Sequence, residues 1–335
     1  MKNLVLKNLF VGYGKETILY DINFELESSK ILGVVGNSGS GKSTLIRCIS
    51  GQLKPLSGTC IVAGINVRKS PKDVQLRIGY VPEMEQSSLY YEFGPLDNAY
   101  FFGKNFGMNK EEIKTNCIKI LGILGLGKEE YLNKPIKNLS GGEKKRVSIM
   151  IGMINNPDIL FLDEPTTGLD PHLRVKVLNF LAKINEIFKT TLVIVSHDLD
   201  IIDYCDKVVI FNKGCMVDNG EPSEMVKKLP CDGKAILVKF KSVPPNYDAK
   251  FKQLKEVVYF LHVGRDSYKF FIEDINSQER LFKEFEELNL IIRKSYLVNG
   301  NFIDYFRVQN IFQYPEKARK IKHNLTSGKG VKSKI

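Results

Sequence analysis

No run of about 18 or more uncharged apolar residues occurs in the 335 residues, so no segment reads as a membrane-spanning helix. The start, Met1-Lys2-Asn3-Leu4-Val5-Leu6-Lys7, alternates like a strand. It has neither the apolar block nor the cleavage site of a signal peptide, and a cytoplasmic location is expected. The six cysteines (Cys48, Cys60, Cys117, Cys205, Cys215, Cys231) make no CxxC and no His-rich pairing. That argues for reduced, mostly buried thiols and against a metal site built on them. There is no internal repeat. Acidic charge is scarce in one place above all. From Glu316 to the end, seven basic residues face that single acid, which supplies +6 of the formal +11. This excess sits on a Gly/Ser/Lys tail without aromatic platforms, so it reads as a solvated, disordered terminus and not as a nucleic-acid face. Adhesion to an anionic membrane surface is a secondary reading.

What is present is a globular composition, 43% hydrophobic and 26% charged, long enough for a full α/β core and one smaller domain. Leu4-Val5-Leu6 and Ile22 to Leu26 alternate with period two, as in a half-exposed antiparallel sheet. Lys30 to Val35, Ile78 to Val81, Ile159 to Leu162, Thr191 to Val195 and Lys207 to Phe211 are near-continuous apolar runs, the pattern of parallel strands buried on both faces. Between Val81 and Leu139 the period becomes helical, through Ile113, Cys117, Ile120 and Leu121. Beyond about 230 the order reads strand (Ala235 to Lys241), helix (Ala249 to Lys255), strand (Val257 to Val263) and strand (Ser267 to Ile272). A helix (Ser277 to Leu288) and a strand (Leu290 to Leu297) complete a ferredoxin-like split motif. The expected domains are therefore 1–230 with a helical subdomain about 83–145, then 231–308, then a basic tail, 309–335.

Gly36-Asn37-Ser38-Gly39-Ser40-Gly41-Lys42-Ser43-Thr44 matches the phosphate-binding loop, with a buried strand before it and a helix after it. Its glycines let backbone N–H groups converge on a phosphate, and the helix N-terminus adds partial positive charge. Lys42 is expected to reach the β- and γ-phosphates, and the Ser43 hydroxyl to ligate Mg2+. The run Ile159-Leu160-Phe161-Leu162-Asp163-Glu164 ends a buried strand in two carboxylates. At the carboxyl end of a parallel strand they face the ligand crevice. Asp163 is placed to anchor Mg2+ through its waters, and Glu164 to polarise an attacking water.

These segments, with Leu139-Ser140-Gly141-Gly142-Glu143, Gly168-Leu169-Asp170 and Ser196-His197-Asp198, stand in the order and spacing of an ABC-type ATPase. The resemblance covers about the first two-thirds of the chain. It implies a P-loop fold with a mixed sheet core, an antiparallel β subdomain and a helical subdomain. It also implies a homodimer, or pairing with a like ATPase subunit, sharing two ATP sites: Ser140 and the backbone of Gly142 contact the γ-phosphate held by the partner's Lys42, and Gly141 and Glu143 belong to the same nucleotide-binding segment. A helix headed by Ser140 suits anion binding on physical grounds as well. By the same resemblance His197 bonds the γ-phosphate and holds Glu164, Asp170 sits across the dimer interface, and Tyr13 stacks on adenine. The family usually has Gln after the strand Ile78 to Val81 and its Pro82; this chain has Glu83, with Gln86 three residues on. Glu83 is expected at the Mg2+ position, with Gln86 the alternative after a loop shift.

Such ATPases most often drive a separate membrane permease, received here by the helical insertion. The LDEPTTGLDP run and the segment Val298 to Phe306, which ends in an aromatic pair, resemble ATPases of the ABC-2 export type. Export is therefore expected. An importer ATPase would be expected to carry a small all-β barrel as its extension, which the helices at Ala249 to Lys255 and Ser277 to Leu288 argue against. A soluble ABC mechanoenzyme acting on ribosomes or DNA would need two ATPase modules or a long coiled coil, and neither occurs.

Overall fold

A computed structural model of the chain describes residues 2–313, which divide into two compact units, Met1–Asn219 and a second beginning at Gly220. The division falls about ten residues before the expected 230. The helix Pro222–Val226 belongs with the second unit because it packs on the helix Phe302–Val308.

The first unit holds one ten-stranded sheet, made of β1 (Lys2–Tyr13), β2 (Glu16–Glu27), β3 (Ile31–Gly36), β4 (Ser57–Val62), β5 (Ile65–Asn66), β6 (Ile78–Val81), β7 (Ile159–Asp163), β8 (Thr191–Ser196), β9 (Lys207–Asn212) and β10 (Cys215–Gly220). The order is β5-β4-β1-β2-β10-β9-β3-β8-β7-β6. Strand β3 pairs in parallel with β8 and β9, β7 with β8 and β6, while β1 runs antiparallel to β2 and β4. The sheet is mixed, and its parallel half carries the apolar runs. Every residue of β3 and β8 is buried, as expected where helices cover both faces.

The antiparallel half is longer than the alternation implied. Strands β1 and β2 each run 12 residues. Asn8 and Asp21 take positive φ (45° and 49°), and the register shifts between Leu6 and Leu9. Such bulges break the period-two pattern, so only its undisturbed stretches read as strand.

The register Val35↔Ser196 and Val195↔Asp163 sets the carboxyl ends of β3, β8 and β7 side by side. That edge is where a ligand crevice forms in parallel sheets. Beside it lie the helices Pro95–Asn105, Lys110–Ile123 and Gly141–Met153. Asn109 and Glu112 form a capping box that fixes the second of these, whose Ile113, Cys117, Ile120 and Leu121 are buried. The third packs directly on β6. A Cβ at Gly79 would lie 1.8 Å from the Gly152 carbonyl oxygen, so the approach requires glycine.

The second unit carries β11 (Lys234–Phe240), β12 (Val257–Gly264), β13 (Ser267–Ile272) and β14 (Ile292–Asn299) in the order β12-β13-β11-β14. Its pairings are antiparallel, which with the helices Asp248–Phe251 and Gln278–Glu287 is the ferredoxin-like β-α-β-β-α-β arrangement. An aromatic core fills one face: Phe240 meets Phe285 edge-on at 5.1 Å, and Phe251 meets Phe270 at 5.3 Å. The helix expected over Ala249 to Lys255 is a single turn. It ends at Phe251, because the backbone N–H of Lys255 is taken by the Glu284 carboxylate as the chain turns into β12. Strand β14 runs two residues beyond the expected Leu297. Gln309–Gln313, placed in the tail by sequence, are helical and follow directly on Phe302–Val308. The basic segment from Glu316 lies outside the described residues.

Candidate active site

Strand β3 delivers the chain into a loop that turns at Gly39 and Gly41, with φ of 73° and 100°. At Gly41 a Cβ would also strike the Leu19 Cδ2 at 2.5 Å, so both backbone and space select glycine. Gly41 caps the helix Lys42–Ile49 with no side-chain hydrogen bond, which leaves the first-turn N–H groups for a ligand. The Ser40 hydroxyl is buried and has no partner. Lys42 is buried too, and its ammonium donates to the carbonyls of Gly36 (2.7 Å) and Asn37 (3.2 Å). Burial lowers its pKa, against the opposing pull of Glu164 and Asp163. Orphan donors at a helix start and a desolvated cation together make a phosphate cradle.

The two carboxylates differ in environment. Asp163 is pushed up to about 6, first by burial and then by Glu164 and Glu83, against Lys42 and Arg47. Burial first, and then the nearby Asp163 charge, raise the Tyr80 phenol to about 12. Glu164 is a buried non-glycine residue with φ 48°, anchored by its backbone N–H to the Val195 carbonyl (2.9 Å). A left-handed residue costs on the order of 1–3 kcal/mol and is retained where the surroundings over-determine it. Those surroundings are on the next strand. The Ser196 hydroxyl donates to Oε2 (3.1 Å), the His197 backbone N–H donates to Oε1 (3.0 Å), and His197 Nδ1 lies 2.9 Å from Oε1. Thr167 Oγ1 donates to Oε2 at 3.4 Å. Glu164 is thus a fixed acceptor, with His197 itself 60% exposed toward the crevice.

A cavity of about 520 Å³ joins these parts. Lys42, Ser43, Glu83, Asp163, Glu164 and His197 all line it, with Ser38, Gly39, Ser40, Gly41 and Thr44 along the loop side. Ser43, Glu83 and Asp163 offer it hard oxygen donors. No set of three or more His, Cys, Asp or Glu able to hold a metal alone occurs among the described residues. The oxygen donors of Ser43, Glu83 and Asp163 fit Mg2+, which is held by one or two carboxylates together with a substrate's phosphates. Gln86 does not line the cavity, whereas Glu83 does.

Ser140, Gly141, Gly142 and Glu143 do not line it either. They begin the helix Gly141–Met153, where Ser140 and Glu143 close a reciprocal capping box: Glu143 N donates to Ser140 Oγ (3.3 Å) and Ser140 N to Glu143 Oε2 (2.7 Å). Burial works against ionised Glu143, but the bonds from Ser140 and Tyr131 outweigh it and lower its pKa. Gly36 and Asn37 serve through the carbonyls that hold Lys42. Asp170 caps the helix Pro171–Phe188 through Leu173 N (3.0 Å). Tyr13 is 43% exposed at the end of β1, and its hydroxyl accepts from Arg47 (3.3 Å).

Four contributors were not assigned roles from sequence. Ser196 was visible within Ser196-His197-Asp198, but nothing in the pattern says that its hydroxyl holds Glu164. Thr167 and Arg174 had no signal. Arg174 bonds the Leu169 carbonyl (2.9 Å) and Asp198 (2.9 Å), joining the segment before Asp170 to the one after His197. Lys145, to which the sequence reading gave no role, is fully buried.

A family profile described as ABC transporter matches residues 19–167. The energy-coupling factor transporter ATP-binding protein EcfA2 of Caldanaerobacter subterraneus subsp. tengcongensis is 36% identical over 214 residues, 63% of this chain and 74% of that protein. The methionine import ATP-binding protein MetN of Clostridioides difficile is 34% identical over 225 residues, 66% of this chain and 69% of that one. A solved ATP-binding cassette, a dimer in a post-hydrolysis state bound to ADP and Pi, is 26% identical with a TM-score of 0.57, covering 65% of this chain and 98% of the cassette. The expected export direction has no support among these relatives, one of which is an importer by name.

Proposed function

The chain belongs to the ATP-binding proteins of ABC transporters and is an ATPase, and from that footing we propose that it works as a homodimer driving a separate membrane permease, in the direction of uptake. The observation that carries the composite-site part is geometric. Glu164 is clamped beside Lys42 in a cavity that Ser140 to Glu143 of the same chain do not reach. The phosphate cradle has an open wall, and the capped start of the helix Gly141–Met153 is the missing surface, supplied by a second copy. The dimeric relative with ADP and Pi supports this reading.

In the proposed site the first-turn N–H groups and Lys42 hold the β- and γ-phosphates. Ser43, Asp163 and Glu83 would hold Mg2+, which when bound neutralises phosphate charge. Glu164 accepts a hydrogen bond from the attacking water and aligns it, and His197 steadies that carboxylate while facing the γ-phosphate. Ser140 and Gly142 of the partner close the site, with Gly141 and Glu143 shaping the helix start. Asp170 lies across the interface, and Tyr13 carries the adenine. Uptake is favoured over export by the methionine import relative. Among the described residues no helix is long and apolar enough to cross a membrane. Exposed Met84, Phe93 and Phe101, in and beside the helical insertion, suit docking of the permease.

The test is Glu164→Gln with ATP and Mg2+. The substitution keeps the size of the side chain and one acceptor oxygen but removes the charge, so the chain should bind ATP, fail to turn over and accumulate as a dimer in light scattering. A folded variant that stays monomeric at saturating ATP refutes the composite site. Direction is read separately, by solute accumulation in vesicles containing the co-purified permease.

A further inference from the structure

Lys145 is 0% exposed, on the helix that begins at Ser140. A fully buried ammonium is disfavoured by desolvation unless it is paired and hydrogen-bonded. The fold compensates from one neighbouring segment. Lys145 Nζ donates to the Glu83 backbone carbonyl (2.8 Å) and pairs with Glu85 Oε1 (2.8 Å). Three residues further along the same helix face, the buried Ser148 hydroxyl meets Ser88 Oγ at 2.9 Å. The short helical turn Glu85–Ser87 is thus bonded to the helix on both sides. The Glu83 side chain meanwhile lines the nucleotide cavity with Asp163 and Ser43.

We infer that Lys145 is a positioning residue for the reaction: by holding the Glu83 carbonyl and Glu85, it aims the Glu83 carboxylate at the divalent cation. The inference rests on the proposed cation role of Glu83. Lys145 touches neither nucleotide nor cation; it acts through the backbone of Glu83. A merely structural lysine would affect stability alone. A positioning lysine also sets the affinity for the cation.

The full-length chain carrying Glu164→Gln, which stops turnover, is loaded with ATP and titrated with Mn2+. Free Mn2+ is read by electron paramagnetic resonance at protein concentrations where the chain is monomeric. Adding Lys145→Met should raise the half-saturating Mn2+ about tenfold, the worth of one lost charge-assisted hydrogen bond. Lys145→Arg, which keeps charge and donors, should recover most of it. Glu85→Gln, at a partly exposed carboxylate, should shift it in the same direction by less. A Lys145→Met chain that melts like its parent and keeps the parent's half-saturation overturns the inference. If Lys145→Met does not fold, Glu85→Gln decides, and an unchanged half-saturation there overturns it too. Failure of Glu164→Gln to dimerise would count against the composite site; the Mn2+ titration, made on monomer, is independent of that result.

Discussion

Replacing Ser196 with Ala removes one oxygen from a fully buried position. In the native chain that oxygen donates to Glu164 Oε2 at 3.1 Å and accepts the Asp198 backbone N–H at 2.9 Å. A hydrogen bond to a charged group is worth about 1.5–3 kcal/mol. If the bond holds Glu164 in line for the attacking water, its loss appears in the barrier, and kcat should fall by roughly 10- to 100-fold. Glu164 keeps its contacts to His197 and Thr167, so the fall stops short of removing the carboxylate. Ser196 does not line the cavity, so KM for ATP should change little. The orphaned Asp198 N–H adds about 1–3 kcal/mol of destabilisation, visible in calorimetry. Phosphate release at saturating ATP and Mg2+ reads the first effect. A folded Ser196→Ala chain with kcat within about twofold of the parent refutes the argument that this hydroxyl positions the base.

Two further predictions follow from the loop and the carboxylates. Asp163 is ordinarily ionised above 3.8 but is held at about 6 in the fold. Between those values the folded chain keeps a proton that the unfolded chain has lost, so this group's contribution to stability is present at low pH and is lost as pH rises through about 6. The nucleotide-free Asp163→Asn chain should therefore be more stable than its parent above pH 6.5, by on the order of 1 kcal/mol after solvent screening. The gap should shrink as pH falls toward 4, and a gap independent of pH in thermal melts contradicts the assignment. Gly41→Ala forces a Cβ into φ 100° and into Leu19. It should cost about 1–3 kcal/mol and abolish ATP binding by calorimetric titration, and a chain that binds ATP normally would sink the cradle geometry.

The parallel half of the sheet was legible because strands buried on both faces leave short apolar runs bounded by turn residues, as in Ile31 to Val35 and Ile159 to Leu162. The antiparallel half was read short, since bulges at Asn8 and Asp21 scramble alternation without unpairing the strands. The second unit followed from its element order, yet one helix shrank to a turn once Glu284 took the Lys255 N–H. Lys42, Asp163 and Glu164 were named from sequence because phosphate and water chemistry demands those types after those strands, and His197 through the family resemblance. Ser196, Thr167, Arg174 and Lys145 were not, because their roles come from contacts reaching 3 to 62 residues along the chain.

The sequence by itself determined the nucleotide chemistry: a glycine loop, a lysine and paired carboxylates follow from local backbone demands, and their order with the Ser140-headed helix carries the resemblance to an ABC ATPase. Only the tertiary structure decided that Glu83 and not Gln86 faces the cavity, that Ser140 lies outside the cavity of its own chain, and that Lys145 is buried. Those facts depend on which helix packs on which strand. Packing is settled by contacts between distant residues, and a linear pattern does not record them.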